Sequence, residues 1–234
     1  MIDIHTHVLP GLDDGSSSLE ESLWLGRALQ RQGVKLLAAT PHFYATEESP
    51  RQFLKRRQKA EETLLRRWPQ EFPPFLVGAE VHFFDGISRT EELPLLTLDS
   101  TDILLLEMPF SSWSSRMVEE VVEIQTRRRL QVLLAHIERY LPDQEPEVWQ
   151  RLRNEGVWFQ CNASFFLRWR TKSKALRMFQ KGEIQMLGSD CHNQTTRPPR
   201  LDEARAVIEK SLGSAAWRGF ERRSLALLKS RFRP

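Results

Sequence analysis

The segments Ile103-Leu-Leu-Leu-Glu107 and Val132-Leu-Leu-Ala-His136 each consist of an apolar run that ends in a titratable residue. Nearly continuous hydrophobicity over about four to six residues is typical of a strand buried on both faces, as in a parallel sheet. Further short runs of this kind occur along the whole chain. The predicted strands are Ile2–His5, Val34–Ala39, Phe75–Glu80, Ile103–Glu107, Val132–His136, Val157–Cys161 and Ile184–Gly188.

Amphipathic segments of helical length separate these runs. Leu19–Gln32 follows a serine run that offers an N-cap, carries two acidic residues in its first turn and stops at Gly33. The other predicted helices are Pro50–Trp68, Ser114–Arg129, Glu145–Gly156, Thr171–Gly182, Arg200–Leu212 and Ala215–Arg231. This alternation predicts an α/β fold, a single-domain irregular TIM-like barrel over residues 1–234 with about seven parallel strands and outer helices. A doubly wound open sheet is the alternative.

Composition limits the classes of function. A chain that is 40% hydrophobic and 28% charged has the composition of an ordinary globular protein. No apolar run approaches the roughly 20 residues that cross a bilayer, and the N-terminus resembles no signal peptide, so we expect no membrane insertion. Two cysteines, Cys161 and Cys191, are too few for a disulfide framework, which favours the cytoplasm. No nucleic-acid-binding motif accompanies the net charge of +3, and no nucleic-acid partner is expected.

Residues with metal-binding chemistry fall where the predicted strands end. His-x-His at a strand end, as in His5-Thr6-His7, places both imidazoles on one side because side chains alternate along a strand. Asp190-Cys191-His192 repeats this spacing with a carboxylate and an imidazole. The C-terminal ends of barrel strands converge on one mouth, where such barrels carry their active sites. Residues at or within three positions of a predicted strand end are His5, His42, Glu80, Glu107, His136 and Asp190. This number of mixed ligands indicates two or three ions that share bridging carboxylates.

Six motifs, in order along about residues 1–200, resemble one known family. That family is the bacterial manganese-dependent protein tyrosine phosphatases of capsule and exopolysaccharide operons (CpsB/CapC type), within the polymerase and histidinol phosphatase (PHP) superfamily. The motifs are Ile2-Asp-Ile-His-Thr-His-Val-Leu-Pro-Gly-Leu-Asp-Asp-Gly15, Ala39-Thr-Pro-His42, Gly78-Ala-Glu80, Leu105-Leu-Glu-Met-Pro109, Ala135-His-Ile-Glu-Arg-Tyr140, and Gly188-Ser-Asp-Cys-His-Asn193 with Arg197-Pro-Pro199.

The resemblance implies a PHP fold with three divalent metal ions, of which manganese is expected and iron, zinc, magnesium or cobalt are compatible. It implies phosphate binding by Arg139 and Arg197. It also implies attack on phosphotyrosine by a metal-bridging hydroxide, with the tail of a bacterial tyrosine autokinase as partner, and it allows a homo-oligomer. By residue, it implies His5, His7, Glu80 and Asp190 for the first ion, Glu80, Glu107 and His136 for the second, and Asp14, His42 and His192 for the third.

Several assignments have alternatives. Asp13 could replace Asp14 as a ligand, and only the family pattern favours Asp14. Glu138 is interpreted as a supporting or surface group. His82 could face the mouth, but a structural histidine is the favoured reading. Trp113 could line a substrate entrance within Phe110–Ser115, a stretch where substrate contacts are expected, although most tryptophans here are expected in the core.

Three functional alternatives compete with a metal-dependent tyrosine phosphatase. Cys191 and Arg197 match the Cys-x5-Arg spacing of cysteine-dependent phosphatases, but the intervening residues lack the glycines that shape an amide cradle. A PHP phosphatase of a small molecule such as histidinol phosphate would use the same metals. A noncatalytic regulatory module is disfavoured because the ligand set is complete.

Overall fold

In the computed structural model, which describes residues 1–233, all nine strands run parallel to their hydrogen-bonded neighbours. They form one sheet of three strands, β1-β2-β4, and one of six, β3-β5-β6-β7-β8-β9. The strands are β1 (Ile2–Thr6), β2 (Leu36–Ala39), β3 (His42–Phe43), β4 (Phe75–Val77), β5 (Glu80–His82), β6 (Ile103–Glu107), β7 (Gln131–Leu134), β8 (Trp158–Asn162) and β9 (Met186–Gly188).

Two strand paths are bent, and the bends join the two sheets. The predicted strand Phe75–Glu80 is wrong as a single strand, because it is interrupted between β4 and β5. The backbone there passes so close to Leu98 that a β-carbon on Gly78 would lie 2.5 Å from Leu98 Cδ2. A similar break at Pro41, which has no N–H to donate, separates β2 from β3. With each bent path counted once, the seven predicted strand paths are recovered.

The first and last strands close the ring. Thr6 pairs with Cys191 in a parallel bridge, His7 N donates to Cys191 O at 3.0 Å, and Asp190 N donates to His5 O at 2.9 Å. These bonds run across the C-terminal ends of β1 and β9. The irregular barrel predicted from the sequence is therefore confirmed, and the open-sheet alternative is wrong.

All seven predicted helices are present, with ends within three residues of the predicted ones, and the short helix α5 was not predicted. Ser18 caps the first helix by accepting from Glu21 N, and Ser49 forms a capping box with Gln52 at the start of the second. Within residues 1–233, no helix is long and apolar enough to span a membrane. The helices are α1 (Leu19–Arg31), α2 (Pro50–Leu65), α3 (Ser115–Thr126), α4 (Pro146–Asn154), α5 (Ser164–Leu167), α6 (Lys172–Gln180), α7 (Leu201–Leu212) and α8 (Ser214–Lys229).

Because side chains alternate in direction along each strand, one set forms an inner apolar cluster and the other set packs beneath the helices. In β6, Ile103 and Leu105 belong to the smaller inner cluster, whereas Leu104 and Leu106 pack with the helices. The next residue on the inner side is Glu107, at the end of the strand. The apolar interior thus forms a floor, and the polar residues at the strand ends lie above it.

Candidate metal centre

All nine predicted ligands lie together at the C-terminal mouth of the barrel. His5 and His7, at the end of β1, have their Nε2 atoms 3.2 Å apart. His5 Nε2 lies 3.1 Å from Glu80 Oε2 and 3.6 Å from Asp190 Oδ1. His7 Nε2 lies 3.5 Å from the same Asp190 oxygen. These four side chains converge on one point.

A second group shares Glu80 with the first. His136 Nε2 lies 2.9 Å from Glu80 Oε1 and 3.1 Å from Glu107 Oε1. Because the two oxygens of Glu80 face different groups, its carboxylate has the position of a bridge. The backbone of His136 is left-handed, with φ of 30°, an uncommon conformation that turns the imidazole back over the mouth.

A third group forms on the open side of the mouth. Asp14 Oδ1 lies 3.4 Å from His42 Nε2 and 3.3 Å from His192 Nε2. The His7 and His192 rings are 3.8 Å apart between centroids, so this group adjoins the first. His42 Nδ1 also lies 3.0 Å from Glu80 Oε2, which connects all three groups.

Two observations indicate that this set of donor atoms fits divalent ions. Ligands bound to one ion at about 2.0–2.2 Å are separated from each other by roughly 3.0–3.5 Å, and the ligand atoms here are 2.9–3.6 Å apart. In addition, Glu80 Oε2, His42 Nδ1 and His192 Nε2 are buried with other candidate ligand atoms 3.0–3.4 Å away, but in the described part of the chain none of these neighbours is aligned for a hydrogen bond. Buried polar atoms ordinarily have partners, and a bound cation would supply one. Mixed imidazole and carboxylate donors suit manganese, iron or zinc.

Electrostatics keep the carboxylates in their binding form. Burial raises the pKa of Glu80, but the charge of His5, the hydrogen bond from His136 and the nearby imidazoles of His5 and His7 hold it well below its usual range. Burial also raises the pKa of Glu107, but hydrogen bonds from His136 and His82 outweigh it and lower this pKa to about 2. Burial lowers the pKa of His192 to about 3, and the positive charge of His7 adds to this. Ionised carboxylates and a neutral imidazole are the protonation states that bind metals.

Two arginines flank the ligand cluster. Arg139 Nη2 donates to Asp190 Oδ2 at 2.7 Å, and Arg197 Nη2 donates to Asp190 Oδ1 at 2.8 Å. The Arg139 and Arg197 side chains are 37% and 35% exposed, so both guanidinium groups can reach a ligand at the mouth.

Comparison with known proteins assigns a family to this constellation. A family model for capsular polysaccharide synthesis proteins, CpsB/CapC, matches residues 1–223. This chain belongs to the CpsB/CapC family. The tyrosine-protein phosphatase YwqE of Bacillus subtilis is 30% identical over 226 residues, which cover 92% of this chain and 86% of YwqE. The tyrosine-protein phosphatase CpsB of Streptococcus agalactiae is 29% identical over 231 residues, which cover 91% of each chain.

Solved structures agree with this assignment. One structure from a study of YwqE of Bacillus subtilis and CpsB of Streptococcus pneumoniae, described as metal-dependent tyrosine phosphatases, matches with a TM-score of 0.83 and 25% identity. The match covers 99% of this chain and 95% of the other. The hisK protein of Listeria monocytogenes, at a TM-score of 0.51 and 12% identity, shares the fold alone. The family resemblance predicted from the six motifs is therefore confirmed.

In this CpsB/CapC chain, the two neighbouring aspartates have different positions. Asp13 is 7% exposed and lies behind the site, where its Oδ2 is 2.7 Å from His7 Nδ1 and accepts from His42 N at 2.9 Å. Asp14 is 63% exposed and faces the two histidines of the third group. The geometry therefore favours Asp14 as the ligand, and Asp13 orients His7, as carboxylates often do behind metal-bound histidines.

Residues of β8 support the site, and sequence reasoning missed them. Gln160 Oε1 lies 3.3 Å from His5 Nδ1 and accepts from His136 N at 2.6 Å. Asn162 Nδ2 donates to Asp190 Oδ2 at 2.7 Å. The signal that could have identified them is two polar residues at alternate positions of a buried strand. Glu138 accepts from Asn162 N, so it is a supporting group, as predicted.

His82 faces the mouth, one of the two alternatives that the sequence left open, and its ring is also held by a carboxylate. Its Nδ1 lies 3.0 Å from Glu107 Oε2, and its side chain is one-third exposed. The cause is the alternation of β5, which puts His82 on the same side as Glu80.

The aromatic residue at the entrance is Phe110, not Trp113. The Phe110 side chain is 55% exposed, and its ring is nearly parallel to those of Tyr140 and His136, at 5.6 and 5.9 Å between centroids. The Arg139 guanidinium lies 5.6 Å from the same ring. Trp113 is buried against Tyr140 and Trp149 and belongs to the core.

The buried thiol of Cys191 excludes cysteine-dependent catalysis. Cys191 has no exposed surface and packs in the apolar core, and burial raises the pKa of its thiol to about 12. A nucleophilic cysteine needs a lowered pKa and access to substrate. The Cys-x5-Arg spacing is therefore coincidental.

Proposed function

We propose that this CpsB/CapC protein is a metal-dependent protein tyrosine phosphatase that hydrolyses phosphotyrosine on a bacterial protein. The observation that carries the proposal is the cluster of nine ligand side chains at the mouth of the barrel, flanked by two arginines. Tyrosine phosphatase relatives that share the fold over nearly the whole chain support it.

The three groups of ligands would hold three divalent ions, and we propose manganese. His5, His7 and Asp190 would bind one ion, and Glu107 with His136 a second, with Glu80 between them. Asp14, His42 and His192 would bind the third. When bound, such ions supply a water of lowered pKa and positive charge beside the phosphate.

Arg139 and Arg197 would bind the phosphate oxygens. Each donates one Nη2–H to Asp190, which leaves further donors of each guanidinium group available at the mouth. A planar guanidinium binds phosphate oxygens bidentately and offsets the charge that develops on them during phosphoryl transfer. Because both side chains are fixed by the Asp190 carboxylate, they are oriented before substrate binds.

Phe110 supports an aryl substrate over an alkyl one. Its exposed ring lies beside both His136 and Arg139, so an aromatic ring attached to a bound phosphate could pack on it. The leaving group favours the same substrate. A phenolate, with a conjugate-acid pKa of about 10, departs without the strong general acid that an alkoxide needs.

The wider context follows from the same site. The phosphate-binding residues lie at a partly exposed rim, which suits a flexible peptide segment, and we propose the tyrosine-rich tail of an autokinase in capsule or exopolysaccharide synthesis. Both cysteines are free thiols, which supports a cytoplasmic location. We also propose that residues 1–234 act as a single domain.

Paired kinetics test the proposal. The manganese-loaded protein is assayed on matched phosphotyrosine and phosphoserine peptides and on histidinol phosphate. We expect the highest kcat/KM on the phosphotyrosine peptide and a smaller preference for it in Phe110→Ala. Equal efficiency on both peptides, or a preference for histidinol phosphate, would contradict a tyrosine phosphatase.

A further inference from the structure

The net positive charge of the chain depends on one segment. Between Glu155 and Glu183 there is no acidic residue, but there are six basic ones. Without these six, the chain would have 28 basic and 31 acidic residues, so this segment alone gives the protein its net charge of +3. We call these residues the basic strip: Arg168, Arg170, Lys172, Lys174, Arg177 and Lys181.

The basic strip begins at the mouth of the barrel. Strand β8 ends at Asn162, whose side chain contacts the ligand Asp190, and the chain then passes through α5 before it reverses into α6. The reversal is well held, because Thr171 Oγ1 donates to Phe165 O at 2.8 Å and Lys172 N donates to Arg168 O at 2.9 Å. The loop therefore forms part of the same rim as the candidate metal centre, and α6 carries the strip away from it.

Within the described residues, the cations of the strip have no ionic partners. Over residues 1–233, no carboxylate oxygen lies within ion-pairing distance of any of the six side chains. Several exposed arginines elsewhere do pair with nearby carboxylates, as Arg205 does with Glu209. Five of the six residues are exposed, all except the half-buried Lys172, and Lys174, Arg177 and Lys181 recur at intervals of three and four residues. This spacing places these three residues on one face of α6 and its C-cap, while Arg168 and Arg170 lie in the turn before the helix.

An exposed tryptophan accompanies these cations at the rim. Trp169 is 81% exposed, more than any other large hydrophobic side chain among the described residues. The Arg170 guanidinium lies 4.9 Å from the centre of its ring, which keeps the two side chains together at the surface. Tryptophan and arginine are the residues most enriched among those that dominate protein binding energies.

We propose that the basic strip and Trp169 dock an acidic segment that flanks the phosphotyrosine of a protein substrate. This rests on the proposed function, because a phosphate held by Arg139 and Arg197 would direct the neighbouring substrate residues across the rim. Six unpaired cations complement a polypeptide rich in Asp and Glu. A membrane surface fits less well, because an interfacial helix needs a broad apolar face, and Trp169 is the one large exposed apolar side chain described between residues 168 and 181.

The test compares two phosphotyrosine peptides that differ only in flanking residues, glutamate in one and glutamine in the other. The variant Arg170→Ser/Lys174→Ser removes two cations of the strip. Its matched control, Arg222→Ser/Lys229→Ser, removes two exposed cations from α8. We expect the strip variant to reduce the preference for the acidic peptide by about 2- to 30-fold, through KM rather than kcat. Added salt should reduce the preference of the wild-type protein for the acidic peptide, since exposed charges are screened.

Binding without turnover separates this proposal from the proposed function. Fluorescence anisotropy of the unphosphorylated acidic peptide measures docking even if neither peptide is hydrolysed, and in that case only the phosphatase assignment fails. An unchanged preference and unchanged binding in the strip variant would overturn the docking proposal. An equal loss in the α8 control would also overturn it, because net charge would then be the cause. Loss of binding to phosphatidylserine vesicles, with the peptide preference intact, would assign the strip to a membrane.

Discussion

Replacing Asp13 with asparagine keeps the shape of the side chain and removes its charge. In the structure, Asp13 Oδ2 lies 2.7 Å from His7 Nδ1 and accepts from His42 N at 2.9 Å, while Oδ1 accepts from Gly15 N at 3.0 Å. The carboxylate thus accepts on both oxygens. An asparagine has one oxygen, so its amide N–H₂ must face a donor in either orientation. One of these contacts is lost, and the hold on His7 weakens.

The magnitude follows from the burial and charge of Asp13. A hydrogen bond to a charged group contributes about 1.5–3 kcal/mol. If the lost hydrogen bond leaves His7 less well oriented, metal affinity should fall roughly 10- to 100-fold. This is the range typical of substitutions in residues that support metal-bound histidines. The barrel should stay folded, because its stability comes from the apolar layers on both sides of the strands.

Metal titration with parallel kinetics tests this expectation, and Asp14→Asn is the matched comparison. Asp13→Asn should bind the full number of ions, but only at higher metal concentration, with turnover partly restored there. Asp14→Asn should lose one ion that excess metal does not replace, because it replaces the one charged carboxylate of the third group with a neutral amide. Wild-type affinity in Asp13→Asn, together with full stoichiometry in Asp14→Asn, would refute the different roles given to the two aspartates.

Four further substitutions probe the phosphate site, the thiol and the packing behind the candidate ligands. Arg139→Ala or Arg197→Ala should each cost about 2–4 kcal/mol of transition-state stabilisation, measured as kcat/KM on a phosphotyrosine peptide, and normal efficiency in both would exclude a phosphate-binding role. Cys191→Ala should keep its metal and most of its turnover. A variant that is folded and metal-loaded but inactive would instead support cysteine-dependent catalysis. Gly188→Ala should destabilise the protein by about 1–3 kcal/mol in thermal unfolding, because its β-carbon would lie 2.6 Å from the β-carbon of a ligand histidine. Gly219→Ala in α8, where the nearest atom is 3.3 Å away on an exposed arginine, is its control and should be neutral or stabilising.

The sequence predicts the strands well where burial is symmetrical. The strand Ile103–Glu107 has the predicted bounds, because an apolar run buried on both faces leaves no ambiguity of face or length. Phe75–Glu80 was predicted as one strand, but the bend at Gly78 depends on the approach of Leu98, which lies in a distant loop. Such a contact between segments far apart in sequence has no local signal.

The convergence of most candidate ligands could be predicted because they lie at or near strand ends, where topology brings them together. The contacts that the supporting residues of β8 make could not be predicted. Gln160 contacts two ligand histidines only because of the register between β8 and its neighbours. Asp13 and Asp14 are adjacent and chemically identical. Which of them is buried depends on the conformation of the turn, for which the two residue types give no signal.

The most direct measurement is stepwise metal reconstitution of the stripped protein, with metal content and phosphotyrosine-peptide turnover determined on the same samples. The burial of the ligands and their arrangement in three groups predict that turnover is negligible without metal. We expect it to rise as about three ions per chain bind, with manganese most effective. Metal-stripped protein that hydrolyses the peptide as fast as the loaded protein would contradict the metal-dependent phosphatase.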